Sequence, residues 1–532
     1  MSTAATGERT NRSGIPLAPV YGPADRDEDR TGEPGRPPFT RGIYTTMYRG
    51  RVWSKRQLIG LESAEAFNER QKRLLAAGQT AVSLTICNST YRGLDVDEVP
   101  RPLVGTCGTP ISCLEDVRIA FAGLPLAELS FGLNDPTPFT IAAMLLVLAE
   151  EQGVPWSRVR GTSNQSDFLS HFVANHMFLR LPPRGSLRVL VDHIAFTQEH
   201  VPQWNPVSVV GQHMQQAGAT PAQTLALTLA TATEYVAAAV ADGLDADAFA
   251  RRVTFFHDIS LSFFEEIAKL RAQRRMWAAI MRERFGATDQ AAMRFKVHTQ
   301  TSGADLTRQQ PLNNIARVTI QALAAVLGGT QSLHTDAYDE ALATPTADAA
   351  QVALATQHIL SDETGLTDVV DPLGGSYYVE ALTDAIEARA QAIYDEVQDL
   401  GGMLTACEQG HVQAEIGRSA WEWQVQLERG ERTVVGVNRH RTPGDGDVGA
   451  IRVPRVDPAR VEGQIRRVAA ARQERDRRRA AAARARIEGL DRDPSDNAFA
   501  AIVDGVRAGL THGELVAATR AAFGFGQPLG VI

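Results

Sequence analysis

An α/β protein built on a parallel (β/α)8 barrel, with a disordered arm before it and a helical extension after it, is what this sequence predicts. Three observations carry that prediction. Eight β-rich runs alternate with long helical stretches, about 30–50 residues apart, the order that builds a parallel sheet with helical crossovers. The helical stretches repeat apolar residues every three or four positions, several open with Asn, Asp, Ser or Thr, and several stop at Gly. Polar side chains gather where the runs end, at Ser83, Thr85, Gln165, His213, His298, Gln300, His334 and Asp336, and barrel enzymes place their chemistry at the carboxyl ends of strands. A doubly wound open sheet is the competing architecture.

In chain order, residues 1–38 are rich in Gly, Pro, Arg and Asp with scarcely any large apolar side chain. They cannot bury enough surface to offset chain entropy and read as a disordered arm. The barrel is expected over 39–430, with strands at 81–88, 127–133, 159–164, 207–213, 253–258, 295–301, 331–336 and 369–375. Helices are expected over 137–153, 220–243, 261–286 and 312–329. Residues 431–532 form the extension: an extended segment at 431–441, an Ala/Arg-rich helical stretch at 455–490, and a last helical unit over 496–509 and 512–524. Nine arginines against four acids between Val461 and Leu490 read as a solvated helix face, with a docking surface as the alternative.

A length of 532 residues allows a large core plus accessory segments. An apolar fraction of 44% with 22% charged residues is that of a globular protein, and a net charge of −8 argues against nucleic acid as the main ligand. No basic stretch followed by an apolar one opens the chain, and the longest apolar run, Ile141 to Ala149, is far short of a membrane span. A cytoplasmic protein with no membrane partner is expected. The four cysteines, Cys87, Cys107, Cys113 and Cys407, include no CxxC pair and read as reduced thiols. Cys87 ends a strand-like run, where a nucleophile could stand, although burial is the commoner fate of such a thiol. No metal set is expected.

The stretches YTTMYRGRVWSKRQLIGLESAEAFNERQKRLLAAGQTAVSL (44–84), VGQHMQQAGAT (210–220), FFEEIAKLRAQRRMWA (263–278), HTQTSGADLT (298–307), LGGTQSLHTDAYDEALATPT (327–346) and DPLGGSYYVE (371–380) resemble the large subunit of adenosylcobalamin-dependent acyl-CoA mutases. That family includes the methylmalonyl-, isobutyryl- and 2-hydroxyisobutyryl-CoA mutases. The resemblance is continuous over about residues 37–441 and weaker in the tail. It implies the same barrel and a radical 1,2-migration of the CoA-thioester group, with the cofactor supplying the radical chemistry and the protein orientation and exclusion of water. The Asp-x-His-x-x-Gly motif whose histidine ligates cobalt in that family does not occur in the sequence. The resemblance therefore implies the substrate-binding half of a two-protein enzyme, a heterotetramer or similar, in which a small cobalamin-binding subunit brings adenosylcobalamin.

Position by position, the resemblance makes His213 the histidine that hydrogen-bonds the thioester carbonyl, a donor to the charge developing on its oxygen. Gln165, in GTSNQSD, matches a glutamine near the thioester. Tyr44, Thr46, Arg51, Arg56, Ser83, Arg252 and Thr254 match the CoA grip, in which guanidinium forks suit phosphate. Cys107, Gln300, Gly303, Glu340 and Ala341 match positions that face the cobalamin. Substrate choice falls to Leu58, Thr85 and Asn175. Methylmalonyl-CoA mutases have a tyrosine and an arginine where Leu58 and Asn175 stand; a buried substrate carboxylate without its cation would be uncompensated, which points away from methylmalonyl-CoA. Isobutyryl-CoA mutases pair phenylalanine with glutamine, and 2-hydroxyisobutyryl-CoA mutases pair isoleucine with an aspartate at the place of Thr85. Leu58 with Thr85 is neither, and implies a non-carboxylated branched or hydroxylated short acyl-CoA: isobutyryl-, 2-hydroxyisobutyryl- or pivalyl-like. Ile86-Cys87 replaces the family's Phe-Asp pair, Gln212 its tyrosine and Gln216 a glutamate, so a noncatalytic acyl-CoA-binding or partner-regulating barrel stays open as a second reading.

Overall fold

A computed structural model of the chain describes residues 9–164, 166–174, 179–442 and 456–529. Two short strands, β1 (Arg9–Thr10) and β2 (Pro16–Leu17), pair antiparallel at its start. Ten further strands are parallel to their neighbours and form two five-stranded sheets. One sheet has β4 (Leu58–Ile59), β5 (Val82–Leu84), β6 (Ser130–Asn134), β7 (Arg160–Asn164) and β8 (Trp204–Asn205) in that order. The other has β3 (Ser54–Lys55), β12 (Ser332–His334), β11 (Val297–Thr301), β10 (Val253–Ile259) and β9 (Val207–Val210) in that order. β3 runs into β4 across Arg56 and Gln57, and β8 into β9 across Pro206, so the chain passes from one sheet to the other at both edges. The interruptions have local causes. Pro206 has no amide for a ladder, and the Gln57 amide donates instead to the Gln79 side chain at 3.2 Å.

Successive side chains point to opposite faces of these strands. Val82 and Leu84, Phe131 and Leu133, Val207 and Val209, Val253 and Phe255 join the hydrophobic core, together with Leu225, Ile267 and Ile386 from surrounding helices. The residues between them, Ser83, Gly132, Ser208 and Thr254, face a cavity. Helix Pro221–Ala241 is the one helix among the described residues long and apolar enough to cross a membrane. With 72% of that stretch buried, it is a core helix.

Seven expected strands are present, most of them shorter than expected, with β6 and β10 each running one residue past the expected end. The eighth, 369–375, is a series of turns leading into helix Tyr377–Asp399, because Pro372, Gly374 and Gly375, the last at φ 86°, favour turning over extension. β3 and β4 supply the missing strand; Arg56 and Gln57 break the apolar pattern that would have marked it. The strand expected to reach His213 ends at Val210, and Gly211–Gln216 is helical. A Cβ on Gly211 would lie 2.5 Å from atoms of His257 and Thr228, so only glycine fits where the chain turns from strand to helix. Residues 431–441, expected to be extended, hold a turn closed by one bridge between Val435 and Arg439.

The arm expected to be disordered is, from Arg9 on, laid against the helices Phe263–Phe285 and Tyr377–Asp399. The amides of Arg12 and Ser13 each donate to Glu265 at 3.0 Å, Arg26 donates to the Gly375 carbonyl at 2.9 Å, and Arg30 pairs with Asp384 and Glu387 at 3.1 and 2.9 Å. Polar contacts hold it, which an argument from apolar burial could not foresee. In the extension, helices Pro458–Glu474, Arg477–Glu488, Ala498–Arg507 and His512–Phe523 open on the capping side chains of Asp457, Asp476, Asn497 and Thr511. Arg467 donates to the buried Asp116 and Arg472 to the buried Asp95, both at 2.8 Å, while Arg477, Arg478 and Arg479 stay exposed. The arginine-rich stretch is thus a docking surface on one side and solvated on the other.

Candidate active site

Tyr44 precedes β3, Arg251 and Arg252 precede β10, and Arg294 and Lys296 precede β11, so these residues gather at the amino ends of the strands. The Arg294 guanidinium lies 5.4 Å over the Tyr44 ring, and the Lys296 ammonium donates to the Arg251 carbonyl. Burial, then Arg252, Arg294 and Arg251, bring Lys296 down to about 8; burial and Arg251 also lower Arg252. Asp289 pairs with Arg251 at 2.9 Å and offsets part of the lowering of Lys296. A cluster of mutually repelling cations is favourable once an anion sits among them. Thr46 and Arg51 are exposed on this side, outside the cavity lining.

Inward from this mouth lies a cavity of about 180 Å³. Buried parallel strands are ordinarily rich in Val, Ile and Leu on both faces; here Ser54, Ser83, Ser130, Thr162, Asn164, Asn205, Ser208, Thr254, His298 and Ser332 line the space, with Tyr44 and Lys296 at its mouth. Arg56 enters it, 9% exposed. Its guanidinium donates to Ser83 Oγ at 3.2 Å and Ser130 Oγ at 3.3 Å, Nε has no partner, and among the described residues no carboxylate forms an ion pair with it. Burial lowers Arg56 to about 10. A Cβ on Gly132 would come 2.4 Å from the Arg56 Nη1 and 2.8 Å from Ser83 Oγ, so glycine keeps the guanidinium's path open. The lining suits a slender ligand with amide or carbonyl groups along its length.

At the carboxyl ends, Asn164 donates to Asn134 at 2.8 Å, Ser208 donates to Asn164 at 3.3 Å, and Asn134 reaches Thr85 Oγ1 at 3.4 Å. Thr85 and Leu58 are half-buried beside one another, the Thr85 amide donating to the Ile59 carbonyl at 2.8 Å. His213 is 5% exposed; its Nδ1 is 2.9 Å from Ser170 Oγ and its ring 4.9 Å from that of His171. Ser170 is held by Asp167, which also accepts from the Val210 amide at 2.8 Å and from the Tyr235 hydroxyl at 2.5 Å. The imidazole is therefore anchored to the strand from which its own helix departs. Gln165 and Asn175 lie outside the described residues.

Gln300, one residue before the end of β11, is in register with His334, whose Nδ1 accepts from the Leu58 amide at 3.2 Å and whose Nε2 lies 3.0 Å from Asp336. That pairing puts the proton on Nε2. A Cβ on Gly303 would lie 3.6 Å from Asp336 Oδ2 and 4.0 Å from Glu340, so Gly303, Asp336 and Glu340 share one face, with Ala341 next to it. Cys107 is exposed, and its neighbours Gly105 and Thr106 border, with Ala343 and Thr344, a groove of about 520 Å³.

The structure thus brings Tyr44, Arg56, Ser83, Arg252 and Thr254 to one cavity and its mouth, and Leu58, Thr85 and His213 to the opposite ends of the same strands. Sequence reasoning missed Lys296, Arg294, Ser170 and most of the polar lining. The signal was present in the small polar residues set between apolar ones in VSL, SFGLN, VSVV and VTFF.

The family model described as methylmalonyl-CoA mutase matches residues 10–525. Over 96% of the chain and 72% of the relative, the sequence is 42% identical to methylmalonyl-CoA mutase of Cereibacter sphaeroides. It is 39% identical to the 2-hydroxyisobutanoyl-CoA mutase large subunit of Aquincola tertiaricarbonis over 94% of the chain and 89% of that protein. Escherichia coli methylmalonyl-CoA mutase is 38% identical over 96% of the chain and 71% of its own length. With a cationic mouth, a polar cavity and a buried histidine past the carboxyl end of β9 in place, these likenesses have one reading: the chain belongs to the methylmalonyl-CoA mutase family, whose members are adenosylcobalamin-dependent isomerases.

Proposed function

We propose that the chain is the substrate-binding large subunit of a coenzyme B12-dependent acyl-CoA mutase, built on one closed (β/α)8 barrel. Closure is supported by the two seams where β3 runs into β4 and β8 into β9, and by a cavity lined from both sheets. The single observation that carries the function is the polar cavity that Arg56 enters, with a cationic mouth at the amino ends of the strands and the buried His213 past the carboxyl end of β9. Arg252, Arg294 and Lys296 take the CoA phosphates, the serine, threonine and asparagine hydroxyls and amides bond the pantetheine arm, and Arg56 donates to its carbonyl oxygens. His213 orients the thioester and donates from Nε2 to its oxygen. For Nε2 to carry that proton, Nδ1 must accept, so Ser170 directs its single hydrogen at Nδ1 rather than at the Asp167 carbonyl, 3.0 Å away. Gln165 is assigned to the thioester as well, and Asn175 to the acyl group.

Residues facing the same end fit adenosylcobalamin. Gly303 presents bare backbone, Asp336 Oδ2 is buried without a partner, and Glu340 is exposed beside them; carboxyl groups so placed can bond hydroxyls and amides of a large ligand, with Gln300, Ala341 and Cys107 around it. When bound, the cofactor supplies the carbon radical that removes a substrate hydrogen. A small cobalamin-binding subunit is proposed to deliver it, a division supported by the 89% overlap with a relative named a large subunit. Leu58 and Thr85 favour a non-carboxylated branched or hydroxylated short acyl-CoA. Methylmalonyl-CoA is the second reading, favoured by the names of the relatives from C. sphaeroides and E. coli.

The test combines the chain with a cobalamin-binding small subunit and adenosylcobalamin, and offers isobutyryl-, 2-hydroxyisobutyryl-, pivalyl- and methylmalonyl-CoA. Isomerisation of one of the first three is expected. Turnover of methylmalonyl-CoA alone would overturn the substrate assignment. Acyl-CoA binding with no isomerisation and no cob(II)alamin signal from any substrate would overturn the mutase reading in favour of a noncatalytic binding barrel.

A further inference from the structure

We propose that Cys87 and Cys107 are a redox-active thiol pair, which a peroxide converts to an intramolecular disulfide at the carboxyl-end rim. The Cys87 amide donates to the Thr109 carbonyl at 2.9 Å, and the Gly105 amide donates to Cys87 Sγ at 3.2 Å. Ile86 forms a bridge with Thr109. A Cβ on Gly108 would lie 2.9 Å from the Cys87 amide nitrogen, so residues 105–109 are folded back on Cys87, and Cys107, in the middle of that loop, stands beside it. Cys87 is fully buried, whereas Cys107 is exposed, so a peroxide reaches the Cys87 sulfur when the surface loop that carries Cys107 opens locally. Cys113 and Cys407 are both buried, and Cys113 faces Asp116 at 3.6 Å.

The pair divides the two jobs a disulfide needs. The hydrogen bond from Cys107, with further ones from the Ser89 and Gly105 amides, brings the Cys87 thiol down to about 6, so it is a thiolate at neutral pH. The same contact raises Cys107, which keeps its proton. Oxidation by hydrogen peroxide balances as follows. The Cys87 thiolate attacks one peroxide oxygen, the O–O bond breaks, and the other oxygen leaves as hydroxide and takes a proton; Cys87 becomes a sulfenic acid. The Cys107 sulfur then attacks the Cys87 sulfur, the S–S bond forms, and the second oxygen departs as water with the Cys107 proton. Two thiols lose two electrons and one peroxide becomes two waters.

The disulfide would tie down the loop whose Gly105 and Thr106 border the groove shared with Ala343 and Thr344. In the function proposed above that rim receives the cofactor-bearing partner, and only this consequence rests on that reading.

The test needs neither partner nor activity. The reduced full-length chain is exposed to graded hydrogen peroxide at pH 7, remaining thiols are alkylated, and peptides are mapped by mass spectrometry without reduction. A Cys87–Cys107 peptide lighter by two hydrogens is expected, forming before any change at Cys113 or Cys407 and lost on adding dithiothreitol. Cys107→Ser should instead carry Cys87 on to the sulfinic acid. Cys87 and Cys107 both staying reduced while Cys113 or Cys407 oxidises, or Cys107 oxidising alone in the unsubstituted chain, would overturn the pairing. Because the decisive map uses the unsubstituted protein, a poorly folding variant leaves it intact.

Discussion

Replacing Arg56 by methionine separates a ligand-binding cation from a structural one. The guanidinium is buried, hydrogen-bonds to the hydroxyls of Ser83 and Ser130, and leaves Nε without a partner. Its fall from 12.5 to about 10 on burial corresponds to roughly 3 kcal/mol by which the folded protein disfavours the charged form. Methionine removes that cost and fills the same path with an unbranched apolar chain, while Ser83 and Ser130 remain in a polar cavity where water can serve them. The melting temperature should therefore stay level or rise. Acyl-CoA affinity should move the other way. A charged hydrogen bond is worth about 1.5–3 kcal/mol, so losing one to a pantetheine or thioester carbonyl should weaken binding about 10–100-fold. Calorimetric titration of acyl-CoA into the chain alone, beside a thermal melt, reads both. A lower melting temperature with unchanged affinity would refute the reasoning and make Arg56 a structural residue.

His213→Ala should slow isomerisation by about 10²–10⁴-fold with acyl-CoA affinity little changed; near-normal turnover would remove the imidazole from the chemistry. Ser170→Ala should lower kcat by about tenfold, the loss of roughly one hydrogen bond, with KM unchanged, and a change in KM alone would contradict its positioning of Nδ1. Lys296, brought down to about 8 in the free protein, is charged at pH 7 and loses its proton as pH rises through 8. An anionic ligand holds that proton, so acyl-CoA affinity should fall as pH rises from 7 to 9, and Lys296→Met should flatten this dependence in a titration series. Arg467→Ala leaves the carboxylate of Asp116, 0% exposed, without its cation, held by the amides of Ser112 and Cys113 and the weakly donating Cys113 thiol. Denaturant unfolding should show a loss of about 3 kcal/mol; a change under 0.5 kcal/mol, the surface norm, would mean that the extension does not dock there.

The long amphipathic helices and most strands were legible because a period of 3.6 or 2 survives in the order of residues alone. Helix Pro221–Ala241 follows from TPAQTLALTLATATEYVAAAVADG with its Thr220 cap and Pro221 start, and β10 from VTFFHD. What failed in the reading failed for tertiary reasons. β3 and β4 are too short and too broken by Arg56 and Gln57 to show a period; they exist because β12 and β5 offer them partners. The run 369–375 has strand-like valines but no neighbour to pair with. The arm looked unfoldable because its anchors, Glu265, Gly375, Asp384 and Glu387, lie hundreds of residues away.

The same division holds at the site. Order and spacing of residues by themselves determined that strands and helices would alternate, that polar groups would collect at strand ends, and, through long motif likeness, which family the chain joins. Tertiary structure alone decided that Lys296 and Arg294 meet Tyr44 at one mouth, that the serines between core valines line a passage, and that His213 turns off the strand at Gly211 to lean on Ser170. The physical reason is the same in each case. Local preference depends on near neighbours and is written in the sequence, whereas the pKa of Lys296, the burial of Arg56 among hydroxyls instead of carboxylates and the folding of the Cys107 loop onto Cys87 depend on groups that only folding brings within a few ångströms.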